Sequence, residues 1–270
     1  MAQVSSVSPR NIPRDFFDVG IAEGHGSCFA AGLAAAGMRP VVAIYASFIQ
    51  RAFDYVFHDA CLQNLPVVFC LDRAGAGVDG PTHHGILDFA FWQALPNLAV
   101  LQPSDAEELR QMFQLALQRE HPVVLRYPAG DASNVVPNHA PLEWGKAEVL
   151  REGTRVALWA VGRECVTACK VADCLADAGI SVTVVNARFT RPFDEALMRR
   201  QASSGMLLVT LEDHVVDGGF GAFASAQLSL PILKFGWREL PSWGSVAASR
   251  EKQGLLPEQI AHSIQEALHG

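Results

Sequence analysis

The stretch VVAIYASFIQRAFDYVFHDACLQNLPVVFCL, residues 41–71, decides the fold. It sets two short apolar runs, Val41–Ile44 and Val67–Leu71, on either side of a segment with helical character, Phe48–Gln63. Runs that are apolar throughout suit strands buried on both faces. A strand, helix, strand order predicts parallel pairing. Working outward, the same alternation fills Phe16 to Tyr127. Leu98–Gln102 and Val123–Tyr127 read as further strands, and Gly24–Gly37 and Ser104–Arg119 as further helices. The last helix opens at PSDAEEL, where Ser104 followed three residues on by Glu107 has the form of a capping box. Leu109, Met112, Phe113 and Leu117 then recur at helical spacing.

Residues 129–145, AGDASNVVPNHAPLEWG, are rich in Gly, Pro, Asn and Asp without a sustained period and predict a linker. Beyond them the alternation resumes, with strands at Arg155–Ala160, Val182–Asn186, Met206–Leu211 and Ile232–Phe235. Helices are expected near Glu164–Ala178, Phe220–Leu228 and Pro257–Leu268. The fold class is therefore α/β, with two three-layer α/β domains built on mostly parallel sheets. The division expected is a leader at 1–14, a first domain at 15–130, a linker at 131–146 and a second domain at 147–270.

Half of the 270 residues are hydrophobic, enough apolar mass for two globular domains, which excludes a disordered tail or a coiled coil. Only 18% are charged and the net charge is −7, so neither nucleic acid nor an anionic membrane surface is an expected partner. The six cysteines include no CxxC pair, which suits reduced thiols in a cytoplasmic protein better than bridges or a zinc site. No metal ligand set is expected in this chain. Residues 1–14 lack the apolar core of a signal peptide, and no stretch reaches the roughly 18 apolar residues of a membrane span.

Four segments place polar residues at strand ends or helix starts, where open α/β sheets build their sites. They are DVGIAEGHG (18–26), YASFIQRAFD (45–54), DRAGAGVDGPTHHG (72–85) and RYPAG (126–130). In the first, Glu23 stands either as a functional carboxylate or as an acid in a first helical turn, which the macrodipole favours. In the second, Phe48 could stack on a flat ligand or pack in a core, and Arg51 could bind an anion or a surface partner. In the third, His83 and His84 beside Asp79 could carry protons or grip an oxyanion, or lie in a solvated loop. A metal site fits them poorly, because adjacent histidines lack the i, i+4 spacing that aims two imidazoles at one ion. Asp217-Gly218-Gly219 and Gly221, before a helix, read as an anion nest or as plain chain geometry.

Taken together, DVGIAEGHG, AIYASFIQRAFDYVFHDACLQNLPVVFCLDRAG, DGPTHHG, PSDAEEL and RYPAG resemble the pyrimidine-binding domain of the 1-deoxy-D-xylulose-5-phosphate synthases, within the transketolase superfamily. NARFTRPFDEA followed by VTLEDHVVDGGFGAFA resembles the C-terminal domain of that family. The resemblance implies thiamine diphosphate as cofactor. Glu23 matches the glutamate that bonds the aminopyrimidine N1′ and promotes loss of the thiazolium C2 proton, a sharing of charge that burial assists. Phe48 matches the aromatic residue packed on the pyrimidine. Tyr45, Arg73, Asp79 and His83 fall where the synthases bind glyceraldehyde 3-phosphate, with Arg73 suited to phosphate and His83 to a hydroxyl or a proton. Arg51 carries over as an anion-binding or supporting residue.

Three departures accompany the matches. The family's GDG motif with its distant Asn, which holds the diphosphate through Mg2+, does not occur in this sequence, so Mg2+ is expected only through a further domain. Where the family usually reads AEQH, this chain has Ala22-Glu23-Gly24-His25. Where it usually reads RYPRG, this chain has Ala129, and the segment from Arg73 to Asp79 is one residue shorter. The resemblance implies half of a split enzyme, inactive alone, that condenses a pyruvate-derived two-carbon unit with glyceraldehyde 3-phosphate. As partners it implies a homodimer, or a heterotetramer with a chain carrying the diphosphate-binding domain. A split transketolase, the β subunit of a 2-oxo-acid dehydrogenase E1 component, a non-catalytic assembly or regulatory subunit and a small-molecule-binding module are the alternatives.

Overall fold

The computed structural model describes residues 15–130, 135 and 138–269. The leader read at 1–14 and six positions of the linker, 131–134 and 136–137, lie outside the described residues. Two five-stranded sheets form, both mostly parallel. In the first, the order is β1 (Val41–Tyr45), β2 (Val68–Asp72), β4 (Val123–Arg126), β3 (Ala99–Leu101), then β8 (Phe189–Arg191) running antiparallel at the edge. The second runs β10 (Leu233–Trp237), β9 (Leu207–Val215), β6 (Val156–Ala160), β7 (Val182–Asn186), with β5 (Glu148–Arg151) antiparallel at its edge.

The registers follow from the apolar runs. Val68, Phe69, Cys70 and Leu71 are buried and pair on one side with Val41 to Ile44 and on the other with Val123 to Arg126. Among the strands expected from the sequence in the first half, β1 departs from burial on both faces, since Val41 and Ala43 are exposed. It is an edge strand, and its apolar sequence does not reveal that.

The helices include α1 (Glu23–Ala35), α4 (Ala106–Leu117), α5 (Glu164–Asp177), α7 (Phe220–Leu228) and α9 (Pro257–His269). Two expectations are corrected. The single helix expected at Phe48–Gln63 is a 3₁₀ turn at Ile49–Ala52, one α turn (α2, Phe53–Tyr55) and a π-helix at Val56–Cys61. Bonds from Leu62 N–H to Phe57 O and from Leu65 N–H to Ala60 O, both 2.9 Å, carry the wide turn, a form concentrated near functional sites. The N-cap of α4 is Asp105, not Ser104: its carboxylate accepts the Glu108 N–H at 2.9 Å. Glu108 reaches back to the N–H and hydroxyl of Ser104, both at 2.7 Å, so the capping box closes one residue later than the sequence suggests. The edge strands β5 and β8, the short helices α3 (Asp88–Trp92) and α8 (Val246–Lys252), and α6 (Glu195–Ser203) were not anticipated.

One core runs between the sheets. It joins Phe69, Phe89 and Trp92 from the first half to Trp159, Phe193 and Phe220 from the second. The β8 strand and this shared core fix the two sheets against each other. No helix among the described residues is long and apolar enough to cross a membrane.

Candidate active site

At the ends of β1 and β2 and the start of α1, five of the seven residues singled out from the sequence form a contiguous cluster, and Glu23 joins it through Arg51. Glu23 is the first residue of α1, 9% exposed, with no side-chain cap before it. Its carboxylate makes no hydrogen bond with any described residue. The nearest cation, Arg51 Nη1, lies at 3.6 Å, and that side chain is 60% exposed. The pair is therefore loose, an ion pair of a kind worth about 1 kcal/mol or less. Arg51 also lies 5.6 Å from the centroid of Phe48.

Phe48 follows β1 by three residues and is half-buried. Its ring stacks on Tyr45, with centroids 5.4 Å apart and planes at 14°, and meets the edge of His83 at 5.2 Å. The Arg73 guanidinium lies 3.8 Å over the Tyr45 ring and bonds Asp72. Burial pushes the Asp72 carboxyl up, partly opposed by Arg73. Arg73 holds φ at 56°, a left-handed backbone that a non-glycine residue adopts at a cost of about 1–3 kcal/mol and that concentrates at functional sites.

The loop after β2 folds back on itself. Gly75 and Gly85 exchange backbone bonds of 2.7 and 2.9 Å, and Gly75 takes φ 89°. A side chain at Gly85 would collide with Arg73 O at 2.5 Å and Ala46 Cβ at 2.8 Å, so only glycine permits this closure. The loop separates the adjacent histidines. His83 faces Phe48, with Nδ1 2.9 Å from the Thr82 hydroxyl. His84 is buried, accepts from Gly77 N–H at 3.2 Å through Nδ1 and donates to Pro241 O at 3.0 Å through Nε2. Its role is structural. Asp79 stands apart: it is exposed at the loop tip, and no hydrogen bond or ion pair ties it to the cluster among the described residues.

Sequence reasoning missed four residues. Ser27, one turn beyond Glu23 on α1, and Ser47, beside Phe48, are buried with hydroxyls that lack a hydrogen-bond partner among the described residues. Asp72 pairs with Arg73. Tyr55 occupies the space next to Gly24, where a Cβ would come within 2.6 Å of its ring. Ala129 is exposed, whereas Arg126 of the same stretch is buried. Two hollows lie elsewhere. One of about 410 Å³ is bordered by Asn64, Trp144 and Arg191, and one of about 330 Å³ by Cys70, Phe113 and Tyr127. Neither includes Glu23 or Phe48, whose cluster opens at the surface.

The C-terminal nest holds an anion from the chain itself. Glu212 on β9 receives the N–H groups of Phe220 and Gly221 at the start of α7. A Cβ at Gly219 would collide with that carboxylate, and one at Gly221 with Thr210.

Comparison with known families matches residues 2–133 to the pyrimidine binding domain of transketolase and residues 145–260 to the transketolase C-terminal domain. A split gene transketolase, solved as an inactive beta4 tetramer, is 32% identical with a TM-score of 0.87, over 94% of this chain and 84% of that one. The chain belongs to the transketolase family. Among curated relatives, 1-deoxy-D-xylulose-5-phosphate synthase of Thermomicrobium roseum is 47% identical over 92% of this chain, and that of Syntrophus aciditrophicus 50% identical over 95%. This transketolase-family chain spans 41% of the length of each. Transketolase from Campylobacter jejuni, 21% identical with a TM-score of 0.78, shares the fold.

Proposed function

We propose that this chain is the pyrimidine-binding and C-terminal part of a thiamine-diphosphate enzyme of the 1-deoxy-D-xylulose-5-phosphate synthase kind. It transfers a two-carbon unit from pyruvate to glyceraldehyde 3-phosphate in the cytoplasm. A diphosphate-binding unit with its Mg2+, on another chain or in a longer form of this one, completes the site. Without it the chain is inactive. The observation that carries the reading is Glu23, a buried carboxylate without a hydrogen bond from any described residue, clustered through Arg51 with the flat face of Phe48. Ser27, one turn beyond Glu23, and Ser47, next to Phe48, carry buried hydroxyls without a partner among the described residues, which a polar ligand could satisfy.

When bound, thiamine diphosphate supplies a thiazolium carbon acid whose ionisation depends on its aminopyrimidine. Glu23, 9% exposed, would hold the pyrimidine N1′ and share a proton with it at a carboxylate oxygen. Phe48 offers a flat wall to the ring. Arg51 balances the Glu23 charge and can swing away, being exposed. Arg73 and His83, with Tyr45 between Arg73 and Phe48, present a cation and an imidazole to the acceptor's phosphate and hydroxyl groups, and Asp79 reaches it from the loop tip. Ala129 supplies no second guanidinium for that phosphate, which forgoes roughly 1.5–3 kcal/mol of charge-assisted contact.

A split transketolase is the second reading, favoured by the 32% identity and 84% coverage of the split-gene relative. That relative's description as an inactive beta4 tetramer supports a chain that self-associates and needs a partner. The test mixes the chain with a diphosphate-binding chain, thiamine diphosphate, Mg2+, pyruvate and glyceraldehyde 3-phosphate. Formation of 1-deoxy-D-xylulose 5-phosphate by the mixture and by neither chain alone is the expected result. Transfer between ketose and aldose phosphates without use of pyruvate selects the second reading, and no transfer of either kind rejects both.

A further inference from the structure

A line of buried side chains that the proposed chemistry does not use connects the second sheet to the loop carrying Asp79 and His83. Arg126 Nη1 donates to Gln102 Oε1 at 3.0 Å. Because a guanidinium cannot accept, the Gln102 oxygen must face it, which leaves the amide nitrogen to donate towards His214. His214 Nε2 lies 3.1 Å from that nitrogen and 3.3 Å from the Gln102 oxygen, and on the shorter contact it accepts. The other ring nitrogen, Nδ1, then carries the hydrogen and donates to Glu212 at 2.6 Å. Glu212 is held by the N–H groups of Phe220 and Gly221 at the start of α7. All four side chains are at most 3% exposed. On the shorter contacts the hydrogen bonds run in one sense, from Arg126 through Gln102 and His214 to Glu212, and this amide orientation and tautomer satisfy every member.

The loop end is equally well defined. Arg126 donates to Asp88 through Nε at 2.9 Å and Nη2 at 3.1 Å, and to the carbonyl of Gly85. Gly85 is the residue whose paired bonds with Gly75 close the loop, two positions after His83. The guanidinium that fixes Gly85 is therefore itself aligned from the second sheet.

We infer that Arg126, Gln102, His214 and Glu212 form a directional relay by which the second sheet positions the loop bearing Asp79 and His83, with His214 a positioning residue for the acceptor end of the site. The loop's position can be measured without turnover, and only the link to acceptor binding rests on the proposed function. His214 stacks on Phe89 with centroids 4.4 Å apart. His214→Phe keeps a ring there but neither accepts nor donates, whereas His214→Gln keeps one donor and one acceptor. Hydrogen exchange on the full chain is expected to speed up about tenfold or more across residues 74–88 in His214→Phe. Exchange there should return to within about threefold of wild type in His214→Gln, with β6 unchanged in both. Unchanged exchange at 74–88 in His214→Phe overturns the relay. Should that variant not fold, Gln102→Met cuts the same line at its middle link and is read in the same way.

In the complemented enzyme, His214→Phe is expected to raise the KM for glyceraldehyde 3-phosphate with little change in kcat, and His214→Gln to restore it. An unchanged KM overturns the positioning role. Glu23→Gln tests the thiamine chemistry separately, so a failed relay and a failed functional reading give different results, and the exchange measurement decides the relay even if no turnover is found.

Discussion

Gly24 follows the carboxylate on which the proposed function depends, and its lack of a side chain is explained by Tyr55, whose ring fills the adjacent space. Replacing Gly24 with Gln, the residue usual in the resembling family, forces that ring aside. Tyr55 is 43% exposed and can yield, and Gln exceeds Gly in helix propensity, so the expected net cost in a denaturant melt is about 1 kcal/mol or less. Tyr55→Ala in the same chain should recover most of it, and additive losses would show that the two positions do not share the space. The sequence exposed the departure at position 24 but not its cause, because Tyr55 lies 31 positions away and pairs with Gly24 only through the fold. The histidines teach the same lesson. Adjacency in HH did not say which ring turns inward, and burial with two satisfied nitrogens assigns His84 to structure while His83 stays beside Phe48. Asp79, by contrast, was legible only as part of a motif, and nothing in its own surroundings marks it.

At the scale of elements, the start of α4 is tied to β5, β7 and the linker by one buried polar knot. Arg188, 1% exposed with φ 56°, donates to Glu108 at 2.7 Å and to the carbonyl of Ala140 at 2.9 Å, and pairs with Glu148 at 2.9 Å. Arg188→Met removes the cation bonded to the buried Glu108 carboxylate and leaves Glu148 to His139 alone, and is expected to cost about 3 kcal/mol, measured by chemical denaturation. A loss below about 1 kcal/mol would show that the knot is solvated. The helix itself was legible from spacing, yet its cap was displaced by one residue because Ser104, Asp105 and Glu108 all bond within the same turn. Segment 48–63 was legible as helical, but its π turn was not, since no residue type announces an i to i+5 bond. Strands β5 and β8 escaped notice because three or four residues without alternation look like loop.

At the scale of the molecule, the linker is a clasp as well as a connection. Both ring nitrogens of His139 face carboxylates, Nδ1 at 2.8 Å from Glu148 and Nε2 at 2.7 Å from Asp105, so the ring donates twice and is held as imidazolium. Burial lowers its basicity, but the bonds to Asp105 and Glu148 outweigh it and raise the pKa above 6.5. A raised folded value contributes stability that is complete below about pH 6.5 and disappears as pH rises through the folded pKa. Asp105 shows the opposite case. Burial raises its pKa, but the Glu108 N–H and His139 bonds hold it below 3.8, so its contribution disappears only as pH falls through that depressed value. Wild type should therefore lose unfolding free energy between mildly acidic and mildly alkaline pH, and His139→Gln should flatten that slope. An equal slope in the variant would remove His139 from the clasp.

The broad architecture was legible because both halves repeat strand and helix, whereas the shared core and the return of β8 to the first sheet join residues far apart in sequence. The central claim remains the single carboxylate at the head of α1. Its most direct test is the exchange rate of the thiazolium C2 proton of thiamine diphosphate bound to the complemented enzyme, followed by NMR in wild type and in Glu23→Gln. The expected result is a fall of about 10²–10⁴-fold in the variant with the fold intact; equal rates in the two proteins would contradict it.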